Sequence, residues 1–116
     1  VYGDGRNIRD WIHVHDHIEA IWRVWEVGIT GEVYNIGGDS EVRNIDGVKT
    51  ILDQMRKPES LINYVSDRLG HDRRYAINNL KIQSELGWKP KRNFKEGLAK
   101  TIEWYMSNQE WLNSIT

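Results

Sequence analysis

Ten glycines and two prolines cut this 116-residue chain into short segments, which limits it to short helices and strands joined by turns. The stops are Gly3/Gly5, Gly28/Gly31, Gly37/Gly38, Pro58, Gly70, Gly87 and Pro90. Between them, Trp11 to Val14 alternates apolar and polar and predicts a short strand. Asp16 followed by Glu19 has the form of a capping box. Ile18, Ile21, Trp22 and Trp25 then recur at helical spacing, predicting a helix with one buried apolar face that Gly28 stops. Glu32 to Ile36 predicts a strand ending in the tight Gly37-Gly38 loop. A second helix is expected from Ile45, with Val48, Ile51, Leu52 and Met55 buried and Pro58 marking its exit. Gly47 within it costs about 0.5–1 kcal/mol relative to Ala.

Ile62 to Val65 and Arg74 to Ile77 predict two more strands around a polar loop. Asn78 or Asn79 caps a short helix through Leu86, and Gly87 stops it. Asn93, with Glu96 at N3, caps a helix whose apolar face is Leu98, Ile102 and Tyr105. Asn108 caps a last turn through Ile115. The sum is a single small unit of mixed α/β class.

Charge and composition exclude several classes. Sixteen Lys+Arg against 17 Asp+Glu leave a net charge of -1, with no long-range attraction to nucleic acid or to an anionic membrane. No apolar run approaches the ~18–20 residues of a membrane span, and no segment reads as a signal peptide. The absence of cysteine excludes disulfides, thiolate zinc sites and thiol catalysis. The chain starts at Val1 and its methionines are Met55 and Met106, so it reads as a segment cut from a longer protein. Six tryptophans against one phenylalanine read as core and interface packing.

Gly3-x-Gly5-x-x-Ile8 lacks a third glycine, and Gly28-x-x-Gly31 is followed by Tyr34. Neither lies between a strand and a helix start, as a dinucleotide fingerprint requires, so both read as turns. His13-Val14-His15-Asp16-His17 has the residue types of a zinc site, but its side chains diverge across a strand-to-helix junction. No metal site is expected. Arg68 to Tyr75 carries three guanidiniums, an imidazole and a phenol within eight residues. Either it is a solvated polar loop or its arginines bind phosphate through bidentate contacts. Arg9, after the first glycine turn, is a second candidate, and Asn44 fits a helix N-cap.

Several stretches together resemble a known family. They are Tyr2-Gly3-Asp4-Gly5 through Arg9-Asp10-Trp11-Ile12-His13-Val14, then Asp16-His17, Gly31 to Gly38 and Asn44-Ile45-Asp46. Asp67 to Ile77, Leu86-Gly87-Trp88-Lys89-Pro90 and Gly97 to Tyr105 follow in order. The set resembles the C-terminal part of the dTDP-glucose 4,6-dehydratases, which are extended short-chain dehydrogenase/reductases. The first stretch alone also fits UDP-sugar epimerases and decarboxylases.

The resemblance implies a two-lobed fold. An N-terminal Rossmann lobe holds NAD, and a smaller C-terminal lobe holds the nucleotide-sugar. This chain matches the smaller lobe plus the helix and strand that return to the Rossmann sheet. The implied reaction oxidises the glucose C4 hydroxyl with NAD, eliminates water across C5–C6 and returns the hydride to C6. A dTDP-sugar nucleotide is the implied ligand, a homodimer the implied assembly and the cytoplasm the implied location. Residue by residue, Arg9 and Arg68 match two arginines gripping the diphosphate, and Asn44 an asparagine near the same phosphates. His71 and Tyr75 match polar residues at the nucleotide end, and Tyr2 one beside the thymine. Four departures follow. The NAD glycine motif and the Tyr-x-x-x-Lys pair are absent, Leu69 stands where the family has proline, and Gly47 stands where it has a larger apolar residue. The chain alone is therefore expected to be inactive and to bind no NAD; the alternatives are a fragment of a UDP-sugar epimerase or decarboxylase, or a non-enzymatic module, and the apolar face left exposed without the Rossmann lobe favours self-association.

Overall fold

A computed structural model describes residues 1–115. The mixed α/β class holds, with fewer strands than expected. The order is β1 (Ile8–Asp10), α1 (Val14–Val27), β2 (Glu41–Arg43), α2 (Asn44–Gln54), a single 3-10 turn (Glu59–Leu61), α3 (Leu80–Leu86), α4 (Phe94–Ser107) and α5 (Gln109–Ile115). β1 and β2 pair antiparallel, with Ile8 opposite Arg43, Arg9 opposite Val42 and Asp10 opposite Glu41. Neither strand was expected, because three residues are too few for alternation to show.

The expected strand at Trp11 to Val14 is instead the turn into α1. The helix starts three residues earlier than the Asp16 capping box implied. His13 is the N-cap, its Nδ1 accepting the His15 N–H at 3.2 Å. That releases Asp16 into the first turn, where it is buried. Its carboxylate accepts from the Arg92 backbone N–H at 3.1 Å and from the Arg92 guanidinium, joining α1 to the loop before α4.

The core is small. Ala20, Ile82, Leu86 and Trp88 pack together, with Ile12, Val24, Tyr34 and Ile36 against them. α1 therefore buries Asp16 and Ala20 and half-buries Val24, at successive i, i+4 positions. The stripe expected to be buried lies outside: Ile18, Ile21, Trp22 and Trp25 are 56%, 51%, 57% and 74% exposed. Periodicity locates an apolar stripe but does not say what covers it. The radius of gyration is 16.7 Å, against the ~13 Å of a compact domain of this length.

Glu32 to Ile36 does not form the expected strand. Tyr34 and Ile36 turn onto the core while Val33 is exposed, yet no ladder partner is found among the described residues. The other two expected strands reduce to single parallel bridges, Tyr2 with Val65 and Ile8 with Arg74.

The later helices follow the punctuation. Asn79 precedes α3 and Gly87 ends it in the left-handed conformation at φ 68°. Asn93 caps α4 by accepting the Glu96 N–H at 3.0 Å, and Asn108 stands between α4 and α5. Trp104, Tyr105 and Trp111 cluster there, with the two indoles 5.0 Å apart. At α2 the N-cap is Arg43, with Asn44 the first helical residue.

Gly47 of α2 is buried facing Phe94, and a Cβ there would lie 3.5 Å from Phe94 Cζ, an ordinary contact. Gly47→Ala is therefore expected to stabilise the chain by about 0.5–1 kcal/mol, read as a higher urea midpoint. A lower midpoint would show that Phe94 cannot accommodate the methyl group.

Candidate functional site: an arginine pocket on the 67–75 loop

The loop 67–75 is brought to the N-terminal segment by main-chain hydrogen bonds. The Gly3 N–H donates to the Val65 carbonyl at 3.0 Å, Ile8 to Arg73 at 2.8 Å and Tyr75 to Ile8 at 3.0 Å. Buried Asn7 anchors it further, Nδ2 donating to the Asp72 carbonyl at 3.0 Å. The Arg73 guanidinium takes both oxygens of Asp4, at 2.9 and 3.1 Å.

The resulting pocket of about 280 Å³ is lined by Arg9, Arg68, His71, Asp72 and Tyr75, with Leu69 and Gly70 at its tip. Four of the six residues singled out from sequence thus share one concavity. Each arginine lies over a tyrosine ring. The Arg9 guanidinium carbon is 4.5 Å from the Tyr75 centroid, and that of Arg68 is 5.0 Å from the Tyr2 centroid. Tyr2 borders the pocket through that contact and lies edge-on to His71 at 6.3 Å. Asn44 is outside the lining and is one step removed, its backbone N–H donating to the Asn7 carbonyl at 2.9 Å.

The arginines are held, but not used up. Arg9 donates to the Ile8 carbonyl at 2.7 Å and the Asp72 carbonyl at 3.0 Å. Arg68 Nη2 meets His71 Nε2 at 2.9 Å. A guanidinium has five N–H donors, so both forks keep donors for an anion. Two carboxylates missed from sequence complete the arrangement. Asp67 contacts His71 Nδ1 at 2.6 Å, and Asp72 accepts from the Tyr75 hydroxyl. Their i, i+4 and i, i+3 spacings were the available signals. The His71 hydrogen bond is the main cause holding the Asp67 carboxyl below its ordinary range. The Tyr75 hydroxyl is pushed up, first because it donates to Asp72 and losing the proton would set two anions together.

Asp4, hydrogen-bonded first by Arg73, titrates near 2 rather than 3.8. Because its value is lowered on folding, its stabilising contribution is present above the ordinary carboxylate range and is lost as pH falls toward 2. Carboxylate NMR titration is expected to place the Asp4 midpoint well below those of unpaired aspartates, and in Arg73→Ala to return it toward 3.8.

A larger concavity, about 720 Å³, lies elsewhere, between Asp10, Asp39, Glu41, Arg74 and Asn79. Its polar groups already have partners. Asp10 accepts from Gly38 and Ser40 at 3.1 and 2.9 Å, and Arg74 pairs with Glu41 at 2.6 Å. The His13 to His17 run forms no metal-binding group among the described residues. The glycine pairs are engaged in local structure. Gly28 caps the end of α1 and Gly5 closes a turn onto the Tyr2 carbonyl at 3.1 Å. The Gly37 and Gly38 N–H groups are taken by Asn79 and Asp10. No helix among the described residues is long and apolar enough to cross a membrane.

The family profile described as GDP-mannose 4,6 dehydratase matches residues 1–101. A dTDP-glucose 4,6-dehydratase of Xanthomonas campestris pv. campestris is 52% identical over 99% of the chain, which covers 35% of that relative. The crystal structure of dTDP-glucose 4,6-dehydratase from Bacillus anthracis str. Ames in complex with NAD matches at a TM-score of 0.89. It is 50% identical over 96% of this chain and 35% of that one. The Streptomyces venezuelae enzyme with NAD and TYD bound, TYD being dTDP, matches at 0.89 with 43% identity, over 95% of this chain and 34% of that one. The chain thus spans about a third of the length of these relatives. A profile match over most of its length places the chain in the GDP-mannose 4,6 dehydratase family, where its similarity is to dTDP-glucose 4,6-dehydratases.

Proposed function

We propose that residues 1–116 form the nucleotide-sugar-binding segment of a dTDP-glucose 4,6-dehydratase, an enzyme of deoxysugar biosynthesis that makes dTDP-4-keto-6-deoxyglucose. The observation that carries this is the pair of guanidiniums, Arg9 and Arg68, on one pocket, each stacked on a tyrosine with donors to spare. Two forks on one pocket, one from β1 and one from the 67–75 loop, suit the two phosphates of a nucleoside diphosphate, one fork to each. His71 and Tyr75 line the same pocket, and Tyr2 offers a ring at its edge for the base. Asn44 acts at one remove, through Asn7.

Titration calorimetry with dTDP and with UDP tests the reading. Preference for dTDP is expected, and preference for UDP would move the chain to the UDP-sugar epimerases and decarboxylases. Incubation of this chain with dTDP-glucose and NAD is expected to yield no 4-keto sugar. It has no Tyr-x-x-x-Lys pair and no glycine loop that fits the dinucleotide. Formation of that product by the chain alone would refute the proposed inactivity.

The full-length enzyme is proposed to be a cytoplasmic homodimer, in keeping with a cysteine-free chain. The isolated chain is proposed to self-associate through the exposed α1 stripe. Sedimentation is expected to show a mass that rises with concentration, and a compact monomer at all concentrations would refute the self-association.

A further inference from the structure

The His71 side chain is 4% exposed, and both of its ring nitrogens are engaged. Arg68 Nη2 lies 2.9 Å from Nε2 and Asp67 Oδ1 lies 2.6 Å from Nδ1. A guanidinium only donates, so Nε2 must be the bare acceptor. The ring proton then sits on Nδ1 and is donated to the carboxylate. Asp67 is itself pinned. Its Oδ1 accepts the Arg68 backbone N–H at 2.9 Å, and its side chain lies flat against Gly3. A Cβ at residue 3 would stand 2.7 Å from Oδ2, so only glycine leaves the carboxylate where it is. Gly3, Asp67, His71 and Arg68 thus form one chain of contacts, from the first glycine turn to the pocket.

We propose that Asp67 is a positioning residue of this pocket: by keeping the His71 proton on Nδ1 it leaves Nε2 to accept from Arg68, and so sets the guanidinium over Tyr2 before an anion arrives. The role rests on the pocket's being the nucleotide-diphosphate site. Its physical basis is preorganisation. A long arginine side chain otherwise loses rotamer freedom when it binds, and a guanidinium already fixed loses less.

Long-range 1H–15N NMR of the ligand-free chain reads the His71 tautomer and the ordering of the Arg68 guanidinium directly. Wild type is expected to show the Nδ1–H form with slowed guanidinium rotation. Asp67→Ala is expected to shift His71 toward Nε2–H and to free Arg68. Asp67→Asn, which keeps an oxygen acceptor, is expected to retain the wild-type pattern. Affinity for dTDP should fall about tenfold in Asp67→Ala and return to within about threefold in Asp67→Asn, the loss of one hydrogen bond's worth of orientation. An Nε2–H tautomer in wild type, or an Asp67→Ala chain with unchanged tautomer or unchanged dTDP affinity, overturns the proposal. If Asp67→Ala shifts the tautomer and frees Arg68 while wild type binds no dTDP, the Asp67–His71–Arg68 arrangement stands and the substrate reading is what falls.

Discussion

Arg9→Ala and Arg68→Ala, introduced into the full-length protein, are each expected to weaken dTDP-sugar binding by about ten- to 150-fold. That range follows from losing charge-assisted hydrogen bonds to phosphate, about 1.5–3 kcal/mol each. Stability should change little, because Arg68 is exposed and Asn7 still holds the Asp72 carbonyl when Arg9 is removed. Calorimetric titration beside a thermal melt separates the two effects. Asn44→Ala is the comparison, since Asn44 does not line the pocket, and its effect should be the smaller. Unchanged binding in both arginine variants would remove the site assignment.

The largest stability effect is expected at Asp16. Its side chain is 1% exposed, and it holds both the backbone and the guanidinium of Arg92, which is itself only 21% exposed. Asp16→Ala leaves a largely buried cation without its partner, at a cost of about 3–5 kcal/mol. Against a total of roughly 5–15 kcal/mol for an ordinary domain, that is a major share. Urea unfolding should show it as a large fall in midpoint. Asp16→Asn keeps an acceptor for the Arg92 N–H and should lose less. A loss under about 1 kcal/mol for Asp16→Ala would mean the pair contributes nothing beyond solvated charges.

Local signals read well where the chemistry is local. Gly28, Gly87, Asn93 and Asn108 mark real helix boundaries because a cap needs only residues within one turn. Asp16 failed as a cap for the opposite reason. Its partner, Arg92, lies 76 residues away, and no local spacing shows that bond. At Glu32 to Ile36, Tyr34 and Ile36 turn onto the core, but a strand also needs a neighbouring strand to receive its main-chain bonds.

The site divides in the same way. Arg68, His71 and Tyr75 are legible as a cluster because they share one loop, and planar guanidiniums suit phosphate wherever they stand. Asp67 and Asp72 went unread, because their acceptor roles appear only once the ring orientations of His71 and Tyr75 are known.

What the sequence determined by itself is most of the helix ends and the residue types that can grip an anion. Those depend on backbone dihedrals and side-chain chemistry within a few residues. Only the tertiary structure decided that Arg9 and Arg68 line one pocket, that Asp16 is buried, and that the tryptophan stripe of α1 faces outward. Each is a long-range contact, fixed by how the whole chain closes. The outward stripe is the clearest case: a sequence records that a face is apolar, and only the packing shows whether this chain has anything to cover it.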